Sequence, residues 1–90
     1  QSIRVLQTGK ELISELPEFT AEALEPIFRA AAENMGVKVG SFFAPIRVAI
    51  TGKTVSPPLF ESMEVLGRDE TLQRIGRATA ALQAYAREVA

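Results

Sequence analysis

Glycines at 36, 52 and 67 and prolines at 17, 57 and 58 cut this chain into short stretches, and within each stretch apolar residues recur every three to four positions. Helical signals dominate, with no convincing hairpin, and such punctuation specifies a bundle of short helices. A first helix over 2–16 places Ile3, Leu6, Ile13 and Leu16 near one face and ends at Pro17. Gly9 weakens it by about 1 kcal/mol relative to alanine. The second helix, 21–35, has Thr20 as its N-cap, with Phe19 and Leu24 at the two positions of a hydrophobic staple. Its apolar face is Leu24, Ile27, Phe28, Ala31 and Met35. Gly36 suits the left-handed residue that closes it, and Pro26 is expected to kink it. The third helix, 40–50, buries Phe42, Phe43, Ile46 and Ile50 and stops at Gly52; Pro45 marks either a kink or a start nearer to it. The VAIT run within it has strand propensity, but its period continues the helix. Ser56 is expected to cap the fourth helix, with Pro57 and Pro58 in its first turn and Leu59, Phe60, Met63 and Leu66 facing inward. Val55 can staple to Phe60, and Gly67 closes the helix. The fifth starts at Asp69 and carries the stripe Leu72, Ile75, Thr79 and Leu82, with Val89 continuing it roughly. The expected fold is all-α: a compact bundle of about five short helices joined by connections of about two to six residues.

Ninety residues make one small domain, 1–90, with residues 1–16 as a leading helix. A hydrophobic fraction of 47% supplies a core and argues against disorder. The absence of cysteine and histidine removes disulfides, thiolate nucleophiles, the usual zinc ligands and the usual neutral-pH general base. No apolar run approaches the roughly 20 residues that span a bilayer, and no leader layout is visible. A reducing, cytoplasmic setting fits these features. Starting at Gln1 in mid-helix sequence, the chain reads as a piece of a larger protein.

The formal net charge of −1 hides an uneven distribution. Residues 1–33 set Arg4, Lys10 and Arg29 against six glutamates. Residues 34–60 carry Lys38, Arg47 and Lys53 and no acid, and residues 61–90 return to a slight negative excess. An acid-free window is where a polyanion can approach without repulsion. Inside it, Arg47 shares a helical stripe with the small residues Gly40, Ala44 and Thr51. A guanidinium there can stack on a base and hydrogen-bond its edge; the plainer alternative is an arginine lying on the bundle surface against a glutamate. The 51–57 loop joins a helix C-terminus to a helix N-terminus, whose free amides and dipole suit an anion. Lys53 adds charge, Thr51, Thr54 and Ser56 add hydroxyls, Pro57 stiffens the entry, and Leu59 offers an apolar surface for a base. An ordinary connection with a capping serine is the plainer alternative here too. GKT is not a phosphate-binding Walker loop, since the fifth residue before Gly52 is Arg47 and not glycine. Arg68, Arg74 and Arg77 are weaker candidates. Glu70 and Arg74 are spaced as a helix-surface ion pair. The glutamates at 11, 15, 18, 22 and 25 have helix-surface spacing and no catalytic partner, so they read as a solvated face.

From about Thr20 onward, and in particular over GVKVGSFFAPIRVAITGKTVSPPLFESMEVLGRDETLQRI, the chain closely resembles the C-terminal anticodon-binding region of bacterial glutamyl-tRNA synthetase, a class I aminoacyl-tRNA synthetase. The resemblance implies a helical cage that binds the tRNA anticodon loop. Aligning PIRVAITG and SPPLF, it implies that Arg47, Ser56, Pro57 and Leu59 contact anticodon bases. Lys53 and Thr54, which match less tightly, are assigned phosphate or sugar contacts. The family's ATP-binding signatures, HIGH and KMSKS, are absent, so the fragment is not expected to be an enzyme and needs no cofactor. The parent would be a glutamate–tRNA ligase using ATP and magnesium in a catalytic domain that lies outside this chain. The expected partners are tRNA and the rest of the synthetase, with no membrane and no DNA.

A helical protein–protein interaction module is the rival class. An exposed apolar patch around Phe42, Phe43 and Val55 would favour it, whereas a positive face around Arg47 and Lys53 favours RNA. No tryptophan, a single tyrosine and no dense basic stripe make the chain a lean RNA binder.

Overall fold

The structure, a computed structural model, describes residues 2–52 and 58–89. These residues form α1 (Ser2–Glu15), α2 (Ala21–Asn34), α3 (Val39–Thr51), α4 (Leu59–Leu66) and α5 (Arg68–Val89). Among the described residues there is no strand. Thr20 caps α2 as its sequence predicts, its side-chain oxygen accepting the Ala23 N–H at 3.2 Å. Gly36 (φ 68°) and Gly52 (φ 75°) follow α2 and α3 in the left-handed region, and the Gly52 N–H returns to the Val48 carbonyl at 2.7 Å. Neither interior proline ends its helix: α2 runs through Pro26, and α3 begins six residues before Pro45 and continues past it. The carbonyls that lose an amide partner belong to Glu22 and Ser41, both exposed, where water can serve them.

The start of α4 differs from the expectation. Its cap is Pro58 (φ −50°, ψ 129°), not Ser56, and its first turn opens at Leu59. A residue followed by proline is disfavoured in the α region, so consecutive prolines resist sharing a helical first turn. Ser56, Pro57 and the expected Val55–Phe60 staple lie outside the described residues.

One core serves all five helices. Four phenylalanines from α2, α3 and α4 form a closed circuit of edge-on contacts: Phe28–Phe42 (centroids 6.1 Å), Phe42–Phe43 (6.2 Å), Phe43–Phe60 (5.2 Å) and Phe60–Phe28 (5.4 Å). Each such pair adds about 0.5–1.5 kcal/mol beyond area burial. The leading helix is part of this core. Val5, Leu6 and Ile13 are buried, Ile3 is only half-buried, and α1 packs most extensively on α5. Gly9 faces α2 and α3; a methyl group there would meet Ile46 Cδ1 at 3.5 Å, an ordinary contact, so space does not demand glycine.

Side chains remote in sequence tie the helix ends together. Glu64 on α4 accepts the orphan Ala21 N–H at the start of α2 at 2.7 Å. The Arg68 guanidinium donates to the Leu16 carbonyl and lies over the Phe19 ring at 5.7 Å. Thr71, fully buried, has its hydroxyl 3.4 Å from the Met63 carbonyl.

Gly67 is the whole connection between α4 and α5. It closes α4 through its N–H to the Met63 carbonyl (2.9 Å) and opens α5 through its carbonyl, which accepts from Thr71 (3.1 Å). Its φ of 87° and ψ of 164° lie in a region essentially restricted to glycine. An added Cβ would meet nothing within 4 Å, so any penalty comes from the backbone alone. Gly67→Ala is expected to lower stability by about 1–3 kcal/mol, read as a lower urea midpoint at unchanged slope. An unshifted midpoint would mean that the junction relaxes without cost.

Candidate nucleic-acid interface

The acid-free window maps onto α3, and the C-terminal half of that helix forms the site. Arg47 is half-buried in its last two turns, and its carbonyl accepts the Thr51 hydroxyl at 2.8 Å. The left-handed Gly52 ends the helix and sends the chain into the 53–57 segment. The last carbonyls of a helix form the negative end of its dipole and lack intrahelical donors. Arg74 on α5 supplies a donor: one guanidinium nitrogen donates to the Ile50 carbonyl at 2.6 Å, while Nε donates to Glu70 at 2.9 Å. Arg77, one turn on, is 3.6 Å from the same carboxylate.

Arg74 stands between two depressions. One, of about 490 Å³, lies among α3, α4 and α5 and is bordered by Ile50, Thr51, Pro58, Glu61, Val65 and Leu66. Thr51 and Pro58, one on each side of the 53–57 segment, both line it. The second, of about 520 Å³, lies between the end of α3 and the middle of α5 and includes Val48, Gly52, Arg77 and Ala78.

The hydrogen bond from Arg74 is the largest influence on the Glu70 carboxyl. Together with the charges of Arg74 and Arg77, it holds the pKa below the usual value against an opposing desolvation. Since the folded value is the lower one, the stability linked to Glu70 is present above its usual pKa and is lost as pH falls through the lowered value. Arg74→Gln is expected to move the Glu70 titration midpoint upward, measured by NMR of the side-chain carboxyl carbon. An unmoved midpoint would mean that the bond to Arg74 does not persist in solution.

Of the residues expected at the site, Arg47 is on α3, half-buried, one turn before Thr51. Lys53, Thr54, Ser56 and Pro57 lie outside the described residues. Leu59 corrects the expectation of an apolar surface: its side chain is 3% exposed and anchors the first turn of α4 in the core. The Glu70–Arg74 pair forms as its spacing predicts, but the second bond, to Ile50, is a feature that sequence reasoning missed. A helix end in need of donors is a signal in the sequence; the identity of the donor, 24 residues away, is not. Phe42 and Phe43, whose exposure would favour a protein-docking surface, are both buried. Among the described residues, no three His, Cys, Asp or Glu side chains come together in a way that could hold a metal ion, and no helix is long and apolar enough to cross a membrane.

An all-α bundle in which an acid-free helix ends against an arginine pair belongs to the class of helical domains suited to contacting a nucleic acid. More specifically, the chain belongs to the anticodon-binding domain family, whose model matches residues 1–79. That match reaches the first residue, where the resemblance read from sequence faded, and leaves the last turns of α5 outside it. The chain is similar to glutamate–tRNA ligases. It is 46% identical over 74 residues to that of Moorella thermoacetica, covering 82% of this chain and 15% of the relative. Identity is 49% over 76 residues with that of Acidothermus cellulolyticus, covering 83% and 15%. With that of Chloroflexus aurantiacus it is 42% over 83 residues, covering 92% and 16%. The chain thus matches only the anticodon-binding portion of these ligases, about one-seventh of their length.

Proposed function

We propose that this chain reads the anticodon of a glutamate-accepting tRNA as the anticodon-binding domain of a glutamate–tRNA ligase. The observation that carries this reading is α3: a helix without a single acid, with Arg47 in its last two turns, whose final residue Thr51 lines a depression that Pro58 borders from the far side of the 53–57 segment. Unpaired anticodon bases are splayed outward, and Arg47 stacks on one and hydrogen-bonds its edge. Single-stranded loops are where RNA sequence can be read, because the deep groove of paired RNA excludes side chains. Ser56 and Pro57 contact bases from the following segment, while Lys53 and Thr54 hold phosphate or sugar. Leu59, being buried, supports them by fixing the start of α4. The domain performs no chemistry and needs no cofactor of its own; ATP and magnesium serve a catalytic domain elsewhere in the parent. In that parent, correct anticodon contact favours productive placement of the acceptor end. The setting is the cytoplasm, and neither membrane nor DNA is a partner. Burial of Phe42 and Phe43 counts against the protein-adaptor alternative.

The test is a titration of this chain with the anticodon stem-loop of a glutamate tRNA, beside one with a scrambled anticodon, at two salt concentrations. Salt-sensitive binding that prefers the glutamate anticodon is expected. Binding without preference would reduce the domain to backbone attraction, and salt-insensitive binding would promote the adaptor reading.

A further inference from the structure

The depression between α3 and α5 is not accounted for by base reading. Among the described residues its lining carries two arginines, Arg74 and Arg77, and no acid; the rest is aliphatic or small, with Val48, Ile50, Thr51, Gly52 and Ala78. A helix C-terminus is the wrong pole for an anion, since its carbonyls point outward. Here that objection is met, because the Arg74 guanidinium lies on the Ile50 carbonyl and sets positive charge at the pole. Two hydrogen bonds, one of them within its ion pair with Glu70, hold Arg74 in place. Arg77 differs: its side chain is 68% exposed, and its contact with Glu70 is long, 3.6 Å, against 2.9 Å for Arg74. An exposed pair of that kind is held weakly and is readily exchanged for a better anion. A phosphate offers a guanidinium a bidentate partner.

We propose that this depression is a subsite for a backbone phosphate of the bound RNA, with Arg77 as its cation and Arg74 offsetting the negative end of α3. The inference rests on the anticodon reading above and extends it to a contact that positions the RNA strand without reading its sequence. Glu70 then acts as a competitor: it occupies Arg77 in the free protein and gives it up when the phosphate arrives. Glu70, like any glutamate not raised well above its ordinary pKa, is charged at neutral pH, so the competition operates wherever the RNA binds.

The experiment uses this chain and the two anticodon stem-loops, with affinities measured across a salt series for wild type, Arg77→Gln, Glu70→Gln and Arg47→Ala. Arg77→Gln is expected to weaken both stem-loops alike, roughly fivefold at low salt, and to reduce the slope of log affinity against log salt by about 0.7. Glu70→Gln is expected to act oppositely and tighten both, because the competitor is gone. Circular dichroism melts of the variants confirm folding; Arg77 is exposed enough for its loss to leave the core intact. Unchanged affinity and slope in Arg77→Gln, with Arg47→Ala still removing the anticodon preference, would overturn the subsite and leave the anticodon reading standing. Loss of preference in Arg77→Gln at unchanged slope would also overturn it, by making Arg77 a base reader. Should the wild-type chain bind neither stem-loop in a salt-sensitive way, the anticodon reading fails and the subsite fails with it.

Discussion

Phe28→Ala is expected to destabilise the domain by about 3–5 kcal/mol. The residue has no solvent exposure and touches two other rings, Phe42 and Phe60, so its truncation opens the phenylalanine circuit from the middle. The loss combines the transfer free energy of the ring with a cavity that two rigid aromatic neighbours cannot refill by small movements. A chain of this size has roughly 5–13 kcal/mol of stability in total. The variant therefore loses roughly a quarter or more of its stability, with a urea midpoint lowered in proportion. Phe28→Leu should retain a clearly larger part of the stability, because it conserves most of the volume. A loss below about 1.5 kcal/mol for the alanine variant would show that α1, α2 and α4 collapse around the gap, and that the circuit is not the keystone of the core.

The second large effect is on recognition. Arg47→Ala is expected to remove the preference for the glutamate anticodon over a scrambled one, with an affinity loss of about ten- to hundredfold for the cognate stem-loop. Stacking on a single base is worth about 1–3 kcal/mol, and edge hydrogen bonds to the same base supply discrimination. Arg47→Lys should keep the charge and the salt sensitivity but recover little of the preference, since an ammonium group has neither the plane nor the donor fork. Urea midpoints of both variants, measured beside wild type, separate a loss of recognition from a loss of folding. Equal weakening of both stem-loops by Arg47→Ala would demote Arg47 to a backbone contact.

These two variants act on different kinds of information. Phe28 and its partners were visible as apolar residues at helical spacing, and α3 presented all four of its expected core residues. Thr20, Gly36, Gly52 and Gly67 marked their boundaries because capping and positive φ are local requirements, met within a few residues. Errors arose where local preference met tertiary demand. Ile3 was expected inward, but Val5 is buried, because the face of α1 is set by what α5 and α3 offer it. Thr79 was placed on the inner stripe of α5, yet Thr71 is the polar residue that is fully buried, sheltered by the α4 junction. Leu59 carries two expectations, an inward position on the fourth helix and a surface for a base; its burial with Phe60 and Met63 meets the first and leaves no room for the second.

The sequence by itself determined an all-α bundle, most of its boundaries, the acid-free stretch and the place of Arg47 on its third helix, because periodicity, capping and charge distribution are properties of residues near one another in the chain. Only the tertiary structure decided that Arg74 closes the end of α3, that Arg68 and Glu64 tie distant helix termini, and that Arg77 borders a depression beside Thr51 and Gly52. Those contacts join residues 24 to 52 positions apart. Which orphan carbonyl or amide meets which side chain depends on how the helices pack, and no local pattern records it.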